Sequence, residues 1–199
     1  MKLIGMLDSP YVRRVAISAK RLGIDLEHES VSVFRHFEQF QQINPVVKAP
    51  TLILDDGVVL MDSTLILDYL EAASGKSLLP KELSQRAHAL RLIGLAACEK
   101  AVQLYYERNL RPADIQYQPW VERVEGQLAA AFIALEHELE KTGLPTDGTL
   151  SQAGISLAVA WSFTDLVVPD QIDVARYPHI ARYTAYAETL EAFVSTPMT

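Results

Sequence analysis

The sequence predicts an α/β half followed by an all-α half. Short apolar runs alternate with helical patterns only as far as about residue 75, and from residue 84 onward apolar residues recur at helical three- and four-residue spacing. Residues 76–83 mix polar residues with Pro80 and continue neither pattern, which sets the expected domains at 1–78 and 83–199. A chain of 199 residues can bury a core in each.

The elements follow in order. Residues 3–7 form a short apolar run, expected as a buried strand. Ser9 and Pro10 are an N-cap residue and a proline at the first helical position, so strand passes directly into helix. In that helix Val12, Val15, Ala16 and Ala19 share a face, Arg13, Arg14, Lys20 and Arg21 point mostly elsewhere, and Gly23 supplies the stop. Residues 26–33 alternate polar and apolar and give a second strand, made parallel to the first by the helical crossover. An irregular polar stretch, 35–42, precedes the runs 50–54 and 58–61, which flank Asp55-Asp56-Gly57 as a hairpin. Asp62 and Ser63 then cap a helix carrying Leu65, Ile66, Tyr69 and Leu70, ending near Gly75. Beyond the linker the pattern gives helices over 84–108, 120–141, 151–166 and 178–193.

The formal charge of −7 and the absence of a Lys/Arg cluster oppose binding to a phosphate backbone, so no nucleic-acid partner is expected. Cys98 is the only cysteine, which excludes an intrachain disulfide or a multi-thiolate metal site and fits a reducing, cytoplasmic compartment. The apolar start ends at Asp8, short of a signal-peptide core, and no later run is long enough to span a membrane.

Three segments carry more specific information: Asp8-Ser9-Pro10-Tyr11-Val12-Arg13, then Asn44-Pro45-Val46-Val47-Lys48-Ala49-Pro50-Thr51-Leu52, then Met61-Asp62-Ser63-Thr64-Leu65-Ile66. In their order and spacing they resemble the cytosolic glutathione S-transferase family, in its bacterial form with a serine-type active site. The resemblance covers essentially the whole chain and is strongest over the first 75 or so residues. It implies a thioredoxin-like first domain, βαβ-α-ββα, a helical-bundle second domain, and a homodimer for which the helix from Ser84 is an interface candidate. It also implies glutathione as co-substrate, no metal or redox cofactor, and a small hydrophobic electrophile as second substrate.

The resemblance further implies roles for single residues. Ser9 would donate to the sulfur of glutathione, although serine there is also an ordinary N-cap. A cis Ala49-Pro50 peptide would turn the backbone of Ala49 toward the cysteinyl amide, although a proline can merely open an edge strand. Lys48 would pair with the glycyl carboxylate or stand as a solvated loop lysine. Asp62 would take the γ-glutamyl ammonium, and Ser63 with the helix N-terminus the neighbouring carboxylate; the pair caps a helix in any case. Arg13 either helps electrostatically or is simply solvated.

The chemistry implied is thiol activation. A free thiol has a pKa of about 8.5, and lowering it by about two units takes roughly 2.7 kcal/mol. One hydrogen bond to a charged group contributes about 1.5 to 3 kcal/mol and a helix terminus about 0.3 to 1, so one serine hydroxyl suffices. The thiolate would conjugate to electrophiles; peroxide reduction and a non-catalytic binding or regulatory role on the same scaffold are the alternatives. The acceptor pocket is expected between the halves, near Tyr105, Tyr106, Arg108 and Trp161, with the choice among them open. Two departures stand out. Ser9 and Val12 occupy positions where redox relatives carry C-x-x-C, which removes a dithiol mechanism. In Ser151-Gln152-Ala153-Gly154 a glycine replaces the usual acidic residue of a capping box, and Thr149 with Gln152 offers a substitute box.

Overall fold

Leu3 and Ile4 are neighbours in one strand and therefore face opposite sides of a sheet, yet both are buried, which requires helices on both faces. The computed structural model describes residues 1–96 and 98–198. In chain order the first elements are β1 (Lys2–Ile4), α1 (Pro10–Leu22), β2 (Glu27–Glu29), α2 (Phe37–Ile43), β3 (Thr51–Ile53), β4 (Val59–Met61) and α3 (Ser63–Ser74). The sheet order is β2-β1-β3-β4, with β1 parallel to β2 and the other pairs antiparallel. On one face Leu3 and Leu52 pack with Val12, Val15, Ala19 and Leu22 of α1 and with Ile66, Leu67 and Leu70 of α3. On the other face Ile4 and Val31 meet Phe40 of α2.

Two local readings of the residues change. The polar stretch 35–42 is mostly helical, as the βαβ-α-ββα order implied by the resemblance requires, because Phe40 anchors α2 to the sheet and outweighs its polar neighbours. The second strand stops at Glu29, since the Ser32 hydroxyl accepts from the Phe34 and Arg35 amides and turns the chain.

The second unit, Pro80–Glu188, holds α4 (Leu83–Leu95), α5 (Cys98–Asn109), α6 (Gln118–Thr142), α7 (Gln152–Val167) and α8 (Pro178–Ala187). Two helices thus occupy the span expected for one over 84–108; Ala97, between them, lies outside the described residues. Helix α7 is buried on nearly every side, as its predominantly apolar sequence requires, and Trp161 within it packs against Phe132 and Tyr177 with centroids 5.4 and 6.0 Å away. Among the described residues no helix is long and apolar enough to cross a membrane.

The expected helical domain of 83–199 ends at Glu188. The expected last helix is split into α8 and a short α9 (Glu191–Val194), and the tail from Thr189 joins the first unit, Met1–Leu79. There Phe193 is fully buried and lies 5.2 Å from the guanidinium of Arg13.

The missing acid at Gly154 is explained by Tyr183. A Cβ on Gly154 would fall 1.9 Å from the Tyr183 hydroxyl oxygen, so the tyrosine fills the space of the capping side chain. That hydroxyl has no hydrogen-bond partner among the described residues, and burial, with Tyr186 adding to it, pushes its pKa up to about 12. The substitute box does not form: Ser151 caps α7 by accepting from the Gly154 amide at 3.2 Å, while Thr149 turns to Asp147. Gly154→Ala is expected to destabilise the protein by about 1 to 3 kcal/mol through overpacking. Adding Tyr183→Phe, which removes the nearest atom, is expected to restore part of that loss; thermal melts of the single and double variants measure it.

Candidate functional site

The pairing register brings the three sequence segments to one end of the sheet. Ile4, the last residue of β1, pairs with Thr51, the first of β3, and Thr51 pairs with Met61, the last of β4. The chain leaving β1 toward α1, the chain entering β3 and the chain leaving β4 toward α3 therefore lie side by side. Residues far apart in sequence are placed within about two strand spacings, roughly 10 Å.

Ser9 occupies the N-cap position of α1, half-buried, with φ −68° and ψ 123°. Its hydroxyl makes no cap hydrogen bond to the helix. The bland expectation for this residue is thus met in position and unmet in bonding. The loop before it is pinned by the Ser9 amide donating to the Met6 carbonyl at 3.1 Å, by His28 Nε2 donating to the Gly5 carbonyl at 2.8 Å, and by the Ser30 hydroxyl donating to Met6 Sδ. Gly5, at φ 137°, admits no side chain: a Cβ would stand 2.6 Å from Val12 and 3.3 Å from the Ala49 methyl. The first loop and Ala49 are in this way held in direct contact.

The Ala49-Pro50 peptide is cis. Its approach is fixed by the buried Asn44, whose amide nitrogen donates to Thr51 Oγ1 at 2.9 Å and whose oxygen accepts from the Val46 amide, while Thr51 Oγ1 donates to the Lys48 carbonyl. Val47 sits at φ 52°, a conformation rare for a β-branched residue that this network maintains. The Ala49 main chain stands outside the ladder, which begins at Thr51.

Asp62 is the N-cap of α3 at φ 72°, accepting from the Thr64 amide at 2.9 Å. Lys48 Nζ lies 3.3 Å from its other carboxylate oxygen, joining the two segments. Desolvation pushes the Asp62 carboxyl up, but the Thr64 amide and Lys48 together outweigh it and leave it below the usual carboxylate range. Ser63, buried, opens α3. The family resemblance implies that Lys48 and Asp62 meet opposite ends of a ligand; here they pair with each other.

Arg13 is not the solvated helix residue that its place in the pattern allowed. It is 2% exposed, and its Nε donates to the Thr196 carbonyl at 2.9 Å. Two of the four proposed pocket residues are also occupied elsewhere: Trp161 is buried in the aromatic cluster, and Arg108 bridges Glu125 and Asp170, 2.9 Å from the latter. Tyr106, rather than Tyr105, lines a surface cavity of about 300 Å³ in the second unit, with Leu110 and Trp120.

Sequence reasoning passed over Asp8. Burial pushes its carboxyl up, and the Ser9 amide and the charge of Arg35 pull it back only in part. With its folded value above the unfolded one, ionised Asp8 costs stability at pH above that value and contributes nothing once both states are protonated. Asp8→Asn is therefore expected to raise Tm at pH 7 and to leave it unchanged near pH 3, as calorimetric scans at the two pH values will record.

A thioredoxin-like α/β unit with a cis-proline loop beside its first helix, followed by an all-helical unit, is the architecture of glutathione S-transferases. Residues 3–78 match the family described as glutathione S-transferase, N-terminal domain. Over 98% of both chains the protein is 27% identical to the uncharacterised GST-like protein YibF of Escherichia coli K12. Among solved structures, a glutathione S-transferase of Methylobacillus flagellatus KT with glutathione bound superposes with TM-score 0.87 at 25% identity, covering 100% of this chain and 99% of that one. A maleylacetoacetate isomerase of Methylobacterium extorquens AM1, with malonate and glutathione bound, gives TM-score 0.72 at 29% identity over 98% and 95% of the two chains. The first unit thus matches the glutathione S-transferase N-terminal domain, and the chain as a whole is similar in sequence and fold to members of that family.

Proposed function

We propose that the protein is a glutathione transferase that conjugates the thiolate of glutathione to small hydrophobic electrophiles. The observation that carries this is the convergence of Ser9, the cis Ala49-Pro50 loop and the Asp62-Ser63 helix start at one end of the sheet. The roughly 10 Å they span suits an extended tripeptide at about 3.3 Å per residue.

In this reading the Ala49 main chain pairs with the cysteinyl residue, which puts its sulfur near the Ser9 hydroxyl. That hydroxyl is not engaged in capping α1 and donates to the thiolate. Lys48 and Asp62, about half exposed, form a pair worth little by itself. Zwitterionic glutathione replaces it with two pairs, the glycyl carboxylate on Lys48 and the γ-glutamyl ammonium on Asp62. The γ-glutamyl carboxylate lies at Ser63 and the N-terminus of α3. The thiol proton leaves to solvent, the sulfur forms the new bond to carbon, and the leaving group departs with its electron pair. Neither a metal nor a redox cofactor enters these steps. The lone Cys98 supports a cytoplasmic setting, and exposed Leu65 and Tyr69 on α3 and Leu83 and Leu90 on α4 support a homodimer.

A second reading is favoured by the likeness to the isomerase. There the thiolate adds to a conjugated double bond, the bond rotates, and elimination returns both glutathione and isomer. Retention on immobilised glutathione, followed by assay with a chloronitroaromatic acceptor, tests the main reading. Retention with formation of the thioether is expected. Retention without turnover overturns it, and a diacid alkene isomerised with no net loss of glutathione establishes the second.

A further inference from the structure

Among the described residues Arg13 is the largest side chain that is almost completely buried. It sits in the first turn of α1, four residues after Ser9, and its amide donates to the Ser9 carbonyl at 2.9 Å. Its side chain is gripped by the end of the chain: Nε donates to the Thr196 carbonyl at 2.9 Å and the guanidinium lies 5.2 Å from the Phe193 ring. These partners are 183 and 180 residues away in sequence. The tail itself is ordered for this task, with the Thr196 hydroxyl donating to the Ala192 carbonyl at 2.8 Å and both Phe193 and Thr196 buried. A buried guanidinium is costly unless well partnered, so the arrangement holds α1 and the tail in one geometry.

We infer that Arg13 is a positioning residue through which the C-terminal tail sets the place of Ser9. This rests on the reading of Ser9 as the donor to the thiolate. A hydrogen bond to sulfur weakens steeply with misalignment, and helix ends fray more readily than helix interiors. Ser9 lies at such an end, without a cap bond of its own to hold the hydroxyl. The tail stiffens that turn from the side, through Arg13, and leaves the rest of the glutathione site to other residues.

Arg13→Lys tests this, because it keeps the charge but loses the fixed fork and the stacking. The expected result is a rise of about half to one unit in the pKa of the bound thiol and a fall of about three- to tenfold in turnover at neutral pH. Glutathione affinity is expected to stay within about threefold, a split between kcat and binding that general destabilisation does not produce. Phe193→Leu, which keeps the tail packed but removes the ring, should shift the profile in the same direction, and it carries the test if Arg13→Lys does not fold. In a Ser9→Ala background neither change should move the profile further. A native profile in folded Phe193→Leu and Arg13→Lys overturns the positioning role. An additional shift on top of Ser9→Ala overturns it too, since Arg13 would then act on the thiolate by its own charge. A native profile in Ser9→Ala alone overturns the Ser9 reading itself, which separates the two failures.

Discussion

Ser9→Ala is expected to raise the pKa of bound glutathione by about one to two units and to cut turnover at pH 7 by about ten- to a hundredfold. The size follows from the loss of one hydrogen bond to a charged group, about 1.5 to 3 kcal/mol, at 1.36 kcal/mol per unit. In the proposed complex that donor favours the thiolate, so the lost turnover should return as pH rises through the new pKa. Stability offers a control. A capping serine replaced by alanine costs about 1 kcal/mol, but the Ser9 hydroxyl makes no cap bond, so Tm should hardly move. Ser9→Cys should place a thiol of lowered pKa beside the helix N-terminus and exchange conjugation for mixed-disulfide formation with glutathione. Ultraviolet titration of the bound thiolate, beside pH–rate profiles of the native and Ser9→Ala proteins, decides the matter. Identical profiles would leave Ser9 without a role in thiolate stabilisation.

The second large effect is at Asp62. Asp62→Asn is expected to weaken glutathione binding by about ten- to a hundredfold while leaving kcat less affected, because the γ-glutamyl ammonium loses its charged partner. Asparagine is the informative substitution. Asp62 sits at φ 72° and caps α3 through the Thr64 amide, and asparagine tolerates that backbone and retains an acceptor. Alanine would remove cap, charge and conformational ease together. The depressed pKa of Asp62 adds a pH signature: affinity should persist as pH falls through the ordinary carboxylate range and decline only below it. Calorimetric titration of both proteins against glutathione measures this, and equal affinities would remove Asp62 from the site.

The three segments of the candidate site were legible because their chemistry is local. Ser9-Pro10, Ala49-Pro50 and Asp62-Ser63 each announce a turn or a helix start within a few residues, and their order along the chain carries the family resemblance. Helix α2 was harder to see, because a single buried residue, Phe40, decides it against a polar background. The aromatic and charged candidates of the second unit were also illegible. Helical spacing shows that Trp161 and Arg108 lie on helices, but only packing shows that one is in the core and the other is held by Glu125 and Asp170.

By itself the sequence determined most strands and helices of the first unit and the three segments that carry the family resemblance, since periodicity, capping and turn chemistry act between near neighbours. The tertiary structure decided what depends on strand register and distant contacts. It set Ile4, Thr51 and Met61 side by side, turned Lys48 onto Asp62, filled the space at Gly154 with Tyr183, and returned the chain end to Arg13. None of these pairings leaves a period in the sequence, because each joins residues whose separation along the chain bears no relation to their separation in space.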